Sequence, residues 1–271
     1  MLNLHDINSF KRKSDLFFIL GPCVVESRDI TLQVADVLAT LKNAYGFDII
    51  FKASFKKANR TSLDSFTGLP LDEALRILEE VKSTYDFNIL SDVHESTNID
   101  EIVDVVDILQ TPAFLVRQTE FLRKVASYGK ALNIKKGQFL SPQEMLQVVN
   151  KIESFGNKNF MICERGSSFG YNYLINDFRA MQQLLACPYP FVFDATHSVQ
   201  RPGAQGTSSG GDAQYAPGLA KAAAAIGVDG IFMETHPSPE TALSDGPNMI
   251  PLHDMRMLLP RLMDIKQVVS N

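Results

Sequence analysis

The 271-residue chain lacks tryptophan, has only three cysteines and contains no long hydrophobic run. The cysteines are odd in number and far apart, at Cys23, Cys163 and Cys187, so they do not form a disulfide framework. Reduced thiols of this kind are typical of the cytoplasm. No apolar run approaches the roughly 20 residues that a membrane-spanning helix needs, and the charged N-terminus has no apolar signal core. We therefore expect a cytoplasmic protein that does not enter a membrane.

The chain also lacks an excess of positive charge, because its formal net charge is −5. This balance disfavours a nucleic-acid partner and leaves room only for a local basic site. Such a site is present in residues 51–62, FKASFKKANRTS, which directly follow an apolar run and hold four cations. Because Ser54 and Asn59 lie between the cations and Thr61 directly follows the last one, we favour a binding site for a small phosphorylated anion over a solvated basic loop.

Short apolar runs alternate with longer amphipathic stretches from end to end, which predicts a parallel sheet. The predicted strands are residues 17–20, 48–52, 88–92, 107–110, 131–135, 160–164, 191–194 and 230–234. The predicted helices are residues 30–45, 71–84, 99–103, 119–127, 142–153, 177–185, 212–226 and 253–268. Eight such units indicate a single (β/α)8 barrel over residues 1–271, with a short extension at residues 1–15.

An open, doubly wound sheet is the alternative fold. That fold usually shows a glycine-rich phosphate turn after the first strand, and Gly21-Pro22-Cys23 is not such a turn. The barrel is therefore favoured. We interpret the Gly/Ser-rich stretch 201–211 as a mobile loop over the site, not as a linker between domains.

The predicted strands end in polar or ionisable groups, and a (β/α)8 barrel builds its active site at these ends. The strand ends supply Cys23, Glu26, Lys52, Lys57, Asp92, His94, Gln110, Lys135, Lys136, Glu164, Arg165, Asp194, His197, Glu234 and His236. Four of the cations, Lys52, Lys57, Lys135 and Arg165, would hold a small polyanion if they converged. The alternative is that they pair with the neighbouring carboxylates Asp92, Glu164 and Asp194.

One further set of residues has the chemistry of a metal site. Cys23, His197, Glu234 and Asp245 offer thiolate, imidazole and carboxylate ligands, which suit zinc or iron(II). Their wide spacing leaves other interpretations open. Cys23 is also explained as a small buried hydrophobe, His197 as a hydrogen-bonded wall residue and Asp245 as a turn residue.

Together these motifs resemble the 3-deoxy-D-manno-octulosonate 8-phosphate synthase family over residues 16–268. The matching motifs are residues 21–27 (GPCVVES), 51–62, 91–94 (SDVH), 110–114 (QTPAF), 133–139 (NIKKGQF), 163–166 (CERG), 194–200 (DATHSVQ) and 234–236 (ETH). The related 3-deoxy-D-arabino-heptulosonate 7-phosphate synthases typically have Lys-Pro-Arg-Thr-Ser where this chain has Lys57-Ala58-Asn59-Arg60-Thr61-Ser62. The extra residue and Asn59 favour the octulosonate family, with the heptulosonate family and erythrose 4-phosphate as the alternative.

The resemblance implies condensation of phosphoenolpyruvate with arabinose 5-phosphate in lipopolysaccharide biosynthesis, by a homotetramer. It implies a metal-dependent enzyme, because the metal-independent members have asparagine at the position of Cys23. Zinc or iron(II) is then the expected metal, with manganese or cobalt able to substitute. The implied roles are phosphoenolpyruvate binding by Lys52, Ser54, Lys57, Gln110, Lys135 and Arg165; sugar-phosphate binding by Asn59, Arg60, Thr61 and a neighbouring subunit's Arg117; metal binding by Cys23, His197, Glu234 and Asp245; and catalysis by Lys52, Asp92, His94 and Asp245.

Two hypotheses from other functional classes remain open at this point. One is a barrel aldolase or lyase acting on phosphosugars, with Lys52 or Lys135 as a Schiff-base lysine. The other is a non-catalytic barrel that binds a phosphorylated ligand, against which the polar strand ends argue.

Overall fold

The computed structural model describes residues 4–11, 14–58, 65–201 and 210–270. Its centre is a closed barrel of eight parallel strands: β1 (Phe17–Gly21), β2 (Asp48–Lys52), β3 (Asn88–Asp92), β4 (Ile108–Thr111), β5 (Ala131–Lys135), β6 (Phe160–Glu164), β7 (Phe191–Asp194) and β8 (Gly230–His236). Strand β1 pairs with both β2 and β8, which closes the sheet. The predicted (β/α)8 class is confirmed, and the open doubly wound sheet is excluded.

Within the described residues, seven α-helices connect successive strands or follow the last one. They are α1 (Arg28–Tyr45), α2 (Leu71–Tyr85), α3 (Thr119–Ser127), α4 (Pro142–Ser154), α5 (Phe178–Leu185), α6 (Ala216–Ala225) and α7 (Met255–Ser270). Their starts follow local capping chemistry: Ser27 caps α1, and Ser141 with Glu144 forms a capping box at α4. Among the described residues, no helix is both long and apolar enough to cross a membrane.

The prediction of a helix at residues 99–103 was wrong. A 3₁₀ turn, Ile99–Glu101, lies there between β3 and β4. The predicted helix spans only about five residues, which is too few to repay the cost of starting an α-helix. The segment still buries Ile99, Ile102 and Val106 against the barrel. The apolar spacing therefore indicated a buried segment correctly but predicted the wrong type of helix.

Several predicted boundaries differ from the observed ones by one or more residues, and some elements were not predicted. Strand β4 starts one residue late because the Asp107 side chain accepts a hydrogen bond from Ile89 N–H at 2.8 Å. Strand β8 continues to His236, where Ile250–Pro251 pairs beside it. A hairpin of Ser167–Phe169 and Tyr173–Ile175 follows β6 and was not predicted.

The barrel interior has an apolar lower part and a polar upper part. Alternation along β2 shows the cause: Ile49 and Phe51 pack toward the helices, whereas Ile50 faces the axis, and Lys52 follows Ile50 at the same two-residue period. The 3₁₀ segment Leu4–Phe10 covers the lower end with buried apolar side chains. The carboxyl ends of the strands therefore remain available for the site.

Candidate active site

Cys23 reaches the barrel mouth because β1 ends in an unusual glycine. Gly21 has φ of 154°, and a Cβ atom there would lie 2.0 Å from the Lys52 carbonyl oxygen. Only glycine fits this close approach of two backbones. Beyond it the chain stays paired with the end of β2, since Val25 N–H donates to the Ser54 carbonyl at 2.9 Å. The Cys23 thiol is thereby fixed in a buried position.

Three of the four predicted metal ligands form one group. The ligand atoms of Cys23, Glu234 and Asp245 all lie within 4.8 Å of one another. Cys23 Sγ is 3.1 Å from Asp245 Oδ2 and 2.8 Å from Ser244 Oγ. Glu234 Oε2 is buried without a hydrogen-bond partner in the described structure. A buried carboxylate oxygen left in this way fits a cation, because it is otherwise costly.

His197, the fourth predicted ligand, lies beside this group. Its Nδ1 is 2.8 Å from Asp194 Oδ2, and its Nε2 is 3.8 Å from Glu234 Oε1. One ring nitrogen held by a carboxylate, with the other facing acidic ligands, is the usual arrangement of a metal-binding histidine. The residues present therefore fit a divalent metal ion.

The protonation of Cys23 depends on whether a cation is bound. Burial, followed by the nearby Asp245 and Glu234 carboxylates, raises the pKa of the thiol. Without a metal the thiol therefore stays protonated. A metal ligand must be a thiolate, so metal binding would release this proton and is expected to weaken at low pH.

Two predicted lysines converge above one aromatic ring. The ammonium groups of Lys52 and Lys135 lie 5.8 and 3.8 Å from the centre of the Phe232 ring. Lys52 Nζ also donates to Glu234 Oε1 at 2.5 Å and to the Cys23 carbonyl at 2.7 Å. Lys135 pairs with Asp194. The two ammonium groups therefore lie in the same pocket, although Lys52 is on β2 and Lys135 is on β5.

Lys135 is held as a cation. Burial alone would lower its pKa, but Asp194, Cys163 and Glu234 outweigh that effect and raise it. A Schiff-base lysine needs a free amine at working pH. The environment of Lys135 therefore favours anion binding over imine chemistry.

Asp92 contacts several polar side chains of the pocket, including Lys57. It accepts hydrogen bonds from Ser54 Oγ and from Gln110 Nε2, the latter at 2.5 Å. Lys57 Nζ lies 3.7 Å from Asp92 Oδ2. Burial would raise the pKa of Asp92, but Lys57 and Lys52 outweigh it and lower the pKa. Asp92 is therefore an ionised hydrogen-bond acceptor.

Arg165, the fourth cation predicted to bind the anion, is also buried. Its Nη2 donates to the His197 carbonyl at 3.1 Å and to Gln200 Oε1 at 2.7 Å. Its Nε is buried without a partner in the described structure. Burial lowers the pKa of the guanidinium, although Asp194 and Asp245 oppose that effect. A guanidinium with an unused donor is suited to bind an anion.

Two other predicted residues at the strand ends, Lys136 and Glu164, contact each other. Lys136 Nζ donates to the Gly137 and Leu140 carbonyls and lies 3.4 Å from Glu164 Oε1. Glu164 Oε1 also accepts from the Arg165 and Gly166 amides, at 2.9 and 2.6 Å. Lys136 and Glu164 therefore stabilise the loop after β6. Their immediate neighbours Lys135 and Arg165 belong to the pocket, because successive residues of a strand point to opposite faces.

The remaining predicted residues differ in how buried they are and in whether the structure describes them. His94 is buried, with Nε2 3.2 Å from the Lys56 carbonyl, and the Lys56 side chain itself is exposed. Arg117 is exposed and lies 3.8 Å from Glu144. Asn59, Arg60 and Thr61 lie outside the described residues, as does most of the predicted loop at 201–211.

Sequence reasoning missed two residues of the site. Asn133 Nδ2 donates to Gln110 Oε1 at 2.7 Å and thereby orients the amide that binds Asp92. Its position two residues before Lys135 in β5 was a usable signal, because the two side chains share a face. Ser244 contacts Cys23, and only its place beside Asp245 pointed to it.

Comparison with known proteins gives one family match and several relatives that share a name. The pattern of the DAHP synthetase I family matches residues 10–270. A 2-dehydro-3-deoxyphosphooctonate aldolase of Xylella fastidiosa (strain 9a5c) is 55% identical over 255 residues, covering 94% of this chain and 92% of the relative. The proteins of the same name from Stenotrophomonas maltophilia (strain R551-3) and Francisella tularensis subsp. novicida (strain U112) are 54% and 50% identical, each over 94% of this chain and 92% and 93% of their own lengths.

Proposed function

Because the chain belongs to the DAHP synthetase I family, we propose that it condenses phosphoenolpyruvate with D-arabinose 5-phosphate and water. The products are 3-deoxy-D-manno-octulosonate 8-phosphate, used in lipopolysaccharide biosynthesis, and inorganic phosphate. The octulosonate relatives at 50–55% identity favour this reaction over the heptulosonate alternative. The observation that carries the site chemistry is the convergence of buried cations at the barrel mouth.

We assign the phosphoenolpyruvate site to the polar groups around Lys52 and Asp92. Its members are Lys52, Ser54, Lys57, Gln110, Lys135 and Arg165. The phosphate and carboxylate of phosphoenolpyruvate are two anionic groups on one small molecule. They would take over part of the charge compensation that Asp92, Asp194 and Glu234 now provide. We assign arabinose 5-phosphate to Asn59, Arg60 and Thr61, with the partner subunit's Arg117.

The bond changes are those of an aldol-type condensation. Carbon three of phosphoenolpyruvate forms a bond to the aldehyde carbon of the sugar, and water adds at carbon two. The bond between carbon two and the phosphate oxygen then breaks, which leaves a ketone and releases inorganic phosphate. The cations would stabilise the negative charge that moves during these steps. Two anchored phosphate groups would hold the reacting carbons in one orientation.

Three polar groups at the barrel mouth are assigned to proton handling and hydrogen bonding. Ionised Asp92 can accept a hydrogen bond or a proton at the pocket floor, and buried His94 lies two residues further along the chain. Asp245 would act from the segment that follows β8, next to Cys23. We therefore assign Asp92, His94 and Asp245 to proton transfer and hydrogen bonding, and Lys52 to charge stabilisation.

A divalent metal is part of this proposal. Cys23, His197, Glu234 and Asp245 would hold it, and their soft and borderline donors favour zinc or iron(II), with manganese or cobalt as substitutes. When bound, the ion supplies a positive centre that can polarise a carbonyl or orient a water molecule. The unsatisfied Glu234 Oε2 supports its presence.

We also propose a cytoplasmic homotetramer. All three cysteines are free, which fits a reducing compartment. The exposed position of Arg117 leaves it accessible to a neighbouring subunit. Its assigned contact with the sugar phosphate would make each site depend on two chains.

Product analysis tests the reaction. Protein loaded with zinc or iron(II) and given both substrates should form an eight-carbon 3-deoxy-2-keto acid phosphate and an equal amount of inorganic phosphate. Arg165→Met should lose most activity, whereas Arg179→Met, at a side chain that is 90% exposed, should retain it. Phosphate release without a new carbon–carbon bond would contradict the proposal. Trapping of substrate by borohydride would instead support the Schiff-base alternative.

A further inference from the structure

Glu26 and His236 form a pair at the barrel mouth that the proposed reaction does not use. Glu26 Oε1 lies 2.8 Å from His236 Nε2, and the two side chains are 10% and 1% exposed. His236 is the last residue of β8, and Glu26 follows β1 on the segment that carries Cys23. A carboxylate is costly to bury unless it is well hydrogen-bonded. Its partners therefore indicate what it holds together.

The direction of each hydrogen bond follows from the geometry. Ser238 N–H donates to His236 Nδ1 at 3.0 Å, so Nδ1 is an acceptor and the ring proton belongs on Nε2. His236 Nε2–H then donates to Glu26 Oε1. The second oxygen, Glu26 Oε2, accepts from Leu243 N–H at 3.0 Å. One carboxylate thus joins the end of β8 to the segment that follows it.

The segments joined by Glu26 carry three of the metal-ligand candidates, because Glu234 lies in β8 two residues before His236. Cys23 lies three residues before Glu26, and Asp245 lies two residues after Leu243. Cys23 Sγ and Asp245 Oδ2 are only 3.1 Å apart, so their spacing depends on how the segments are held. Asp245 has φ of 51°, a left-handed conformation that residues other than glycine adopt only with local support.

We propose that Glu26, held by His236, is a positioning residue that fixes the spacing of Cys23 and Asp245 and so tightens binding of a divalent metal. This inference rests on the metal site of the proposed function. Residues that orient metal ligands typically change affinity by about 10- to 100-fold when they are replaced. The same range is expected here.

Glu26→Gln tests the role with almost no change of shape. The amide group would face either His236 Nε2–H or Leu243 N–H, so one of the two contacts becomes donor against donor. Metal-free protein is titrated with Co²⁺ against a chromophoric chelator, and the thiolate-to-cobalt absorption band is recorded. Glu26→Gln should bind Co²⁺ about 10- to 100-fold more weakly and show a weaker band. Glu120→Gln, at a side chain that is 83% exposed, should match the wild type.

A second pair of variants keeps the test decisive if Glu26→Gln does not fold. His236→Gln retains a donor toward Glu26, whereas His236→Leu does not, so the glutamine variant should bind Co²⁺ more tightly. Equal affinities for this pair, or affinity of Glu26→Gln within about twofold of the wild type, would overturn the positioning role. Failure of the wild type to bind Co²⁺ would refute the metal site itself. The two failures are therefore distinguishable.

Discussion

Replacing Lys52 by methionine should destabilise the protein, because it leaves a buried carboxylate without its nearest cation. Lys52 and Glu234 are each 1% exposed at the side chain, and their charged atoms are 2.5 Å apart. Removing one member of such a buried pair costs about 3–5 kcal/mol. His197, Lys57 and Lys135 also lower the pKa of Glu234, against the effect of burial, so part of the compensation remains. We therefore expect a loss near about 3 kcal/mol.

This loss is large enough to measure by thermal unfolding of metal-free protein. The entropy of unfolding is about 2.1 cal/mol/K per residue, or about 0.6 kcal/mol/K for this chain, so the midpoint should fall by about 5 °C. The double variant Lys52→Met/Glu234→Gln removes both charges and should be more stable than the single variant. Lys56→Met, at an exposed side chain, is the matched control. A single variant within about 1 °C of the wild type, or a double variant no better than the single one, would refute the reasoning.

Three further predictions address pH, backbone geometry and substrate binding. Burial would raise the pKa of Asp194, but His197 and Lys135 lower it, so its contribution to stability is present above the unfolded pKa of about 3.9 and is lost as the pH falls. The difference in unfolding free energy between wild type and Asp194→Asn should therefore shrink between about pH 6 and about pH 3, and a constant difference would contradict this. Gly21→Ala should cost at least about 3 kcal/mol by urea unfolding, whereas Gly129→Ala, which meets no atom within 4 Å, should cost only about 1–2 kcal/mol; equal costs would argue against the close approach at Gly21. Arg60→Ala should raise the KM for arabinose 5-phosphate far more than that for phosphoenolpyruvate, and equal effects in steady-state kinetics would contradict its assigned role.

The barrel was predictable because its signals are local and repeated. Apolar runs marked the strands, and the bounds of β2, β3 and β5 agree with the sequence pattern. The same pattern could not distinguish the Ile99–Glu101 turn from an α-helix, because a short apolar spacing fits both. The hairpin after β6 has three-residue strands, which are too short for a clear alternation.

The candidate site was predictable as far as strand ends define it. Lys52 and Lys135 are brought together because each ends a strand of one barrel. A one-residue step decides which side a strand residue faces, and the ends of the strands alone did not separate Lys135 from Lys136. Contacts such as Glu26 with His236 and Cys23 with Ser244 join segments more than two hundred residues apart. No pattern within a short stretch of sequence indicates such pairs, so only the folded structure identifies them.

Phosphate release from phosphoenolpyruvate tests the central claim most directly. The assay compares arabinose 5-phosphate with erythrose 4-phosphate, each with added divalent metal and after exhaustive chelation. Rapid release is predicted only with arabinose 5-phosphate and metal, and activity should return when zinc, iron(II), manganese or cobalt is added to the chelated protein. Faster release with erythrose 4-phosphate would contradict the assigned substrate. Full activity in a verified metal-free sample would contradict the role of Cys23, His197, Glu234 and Asp245.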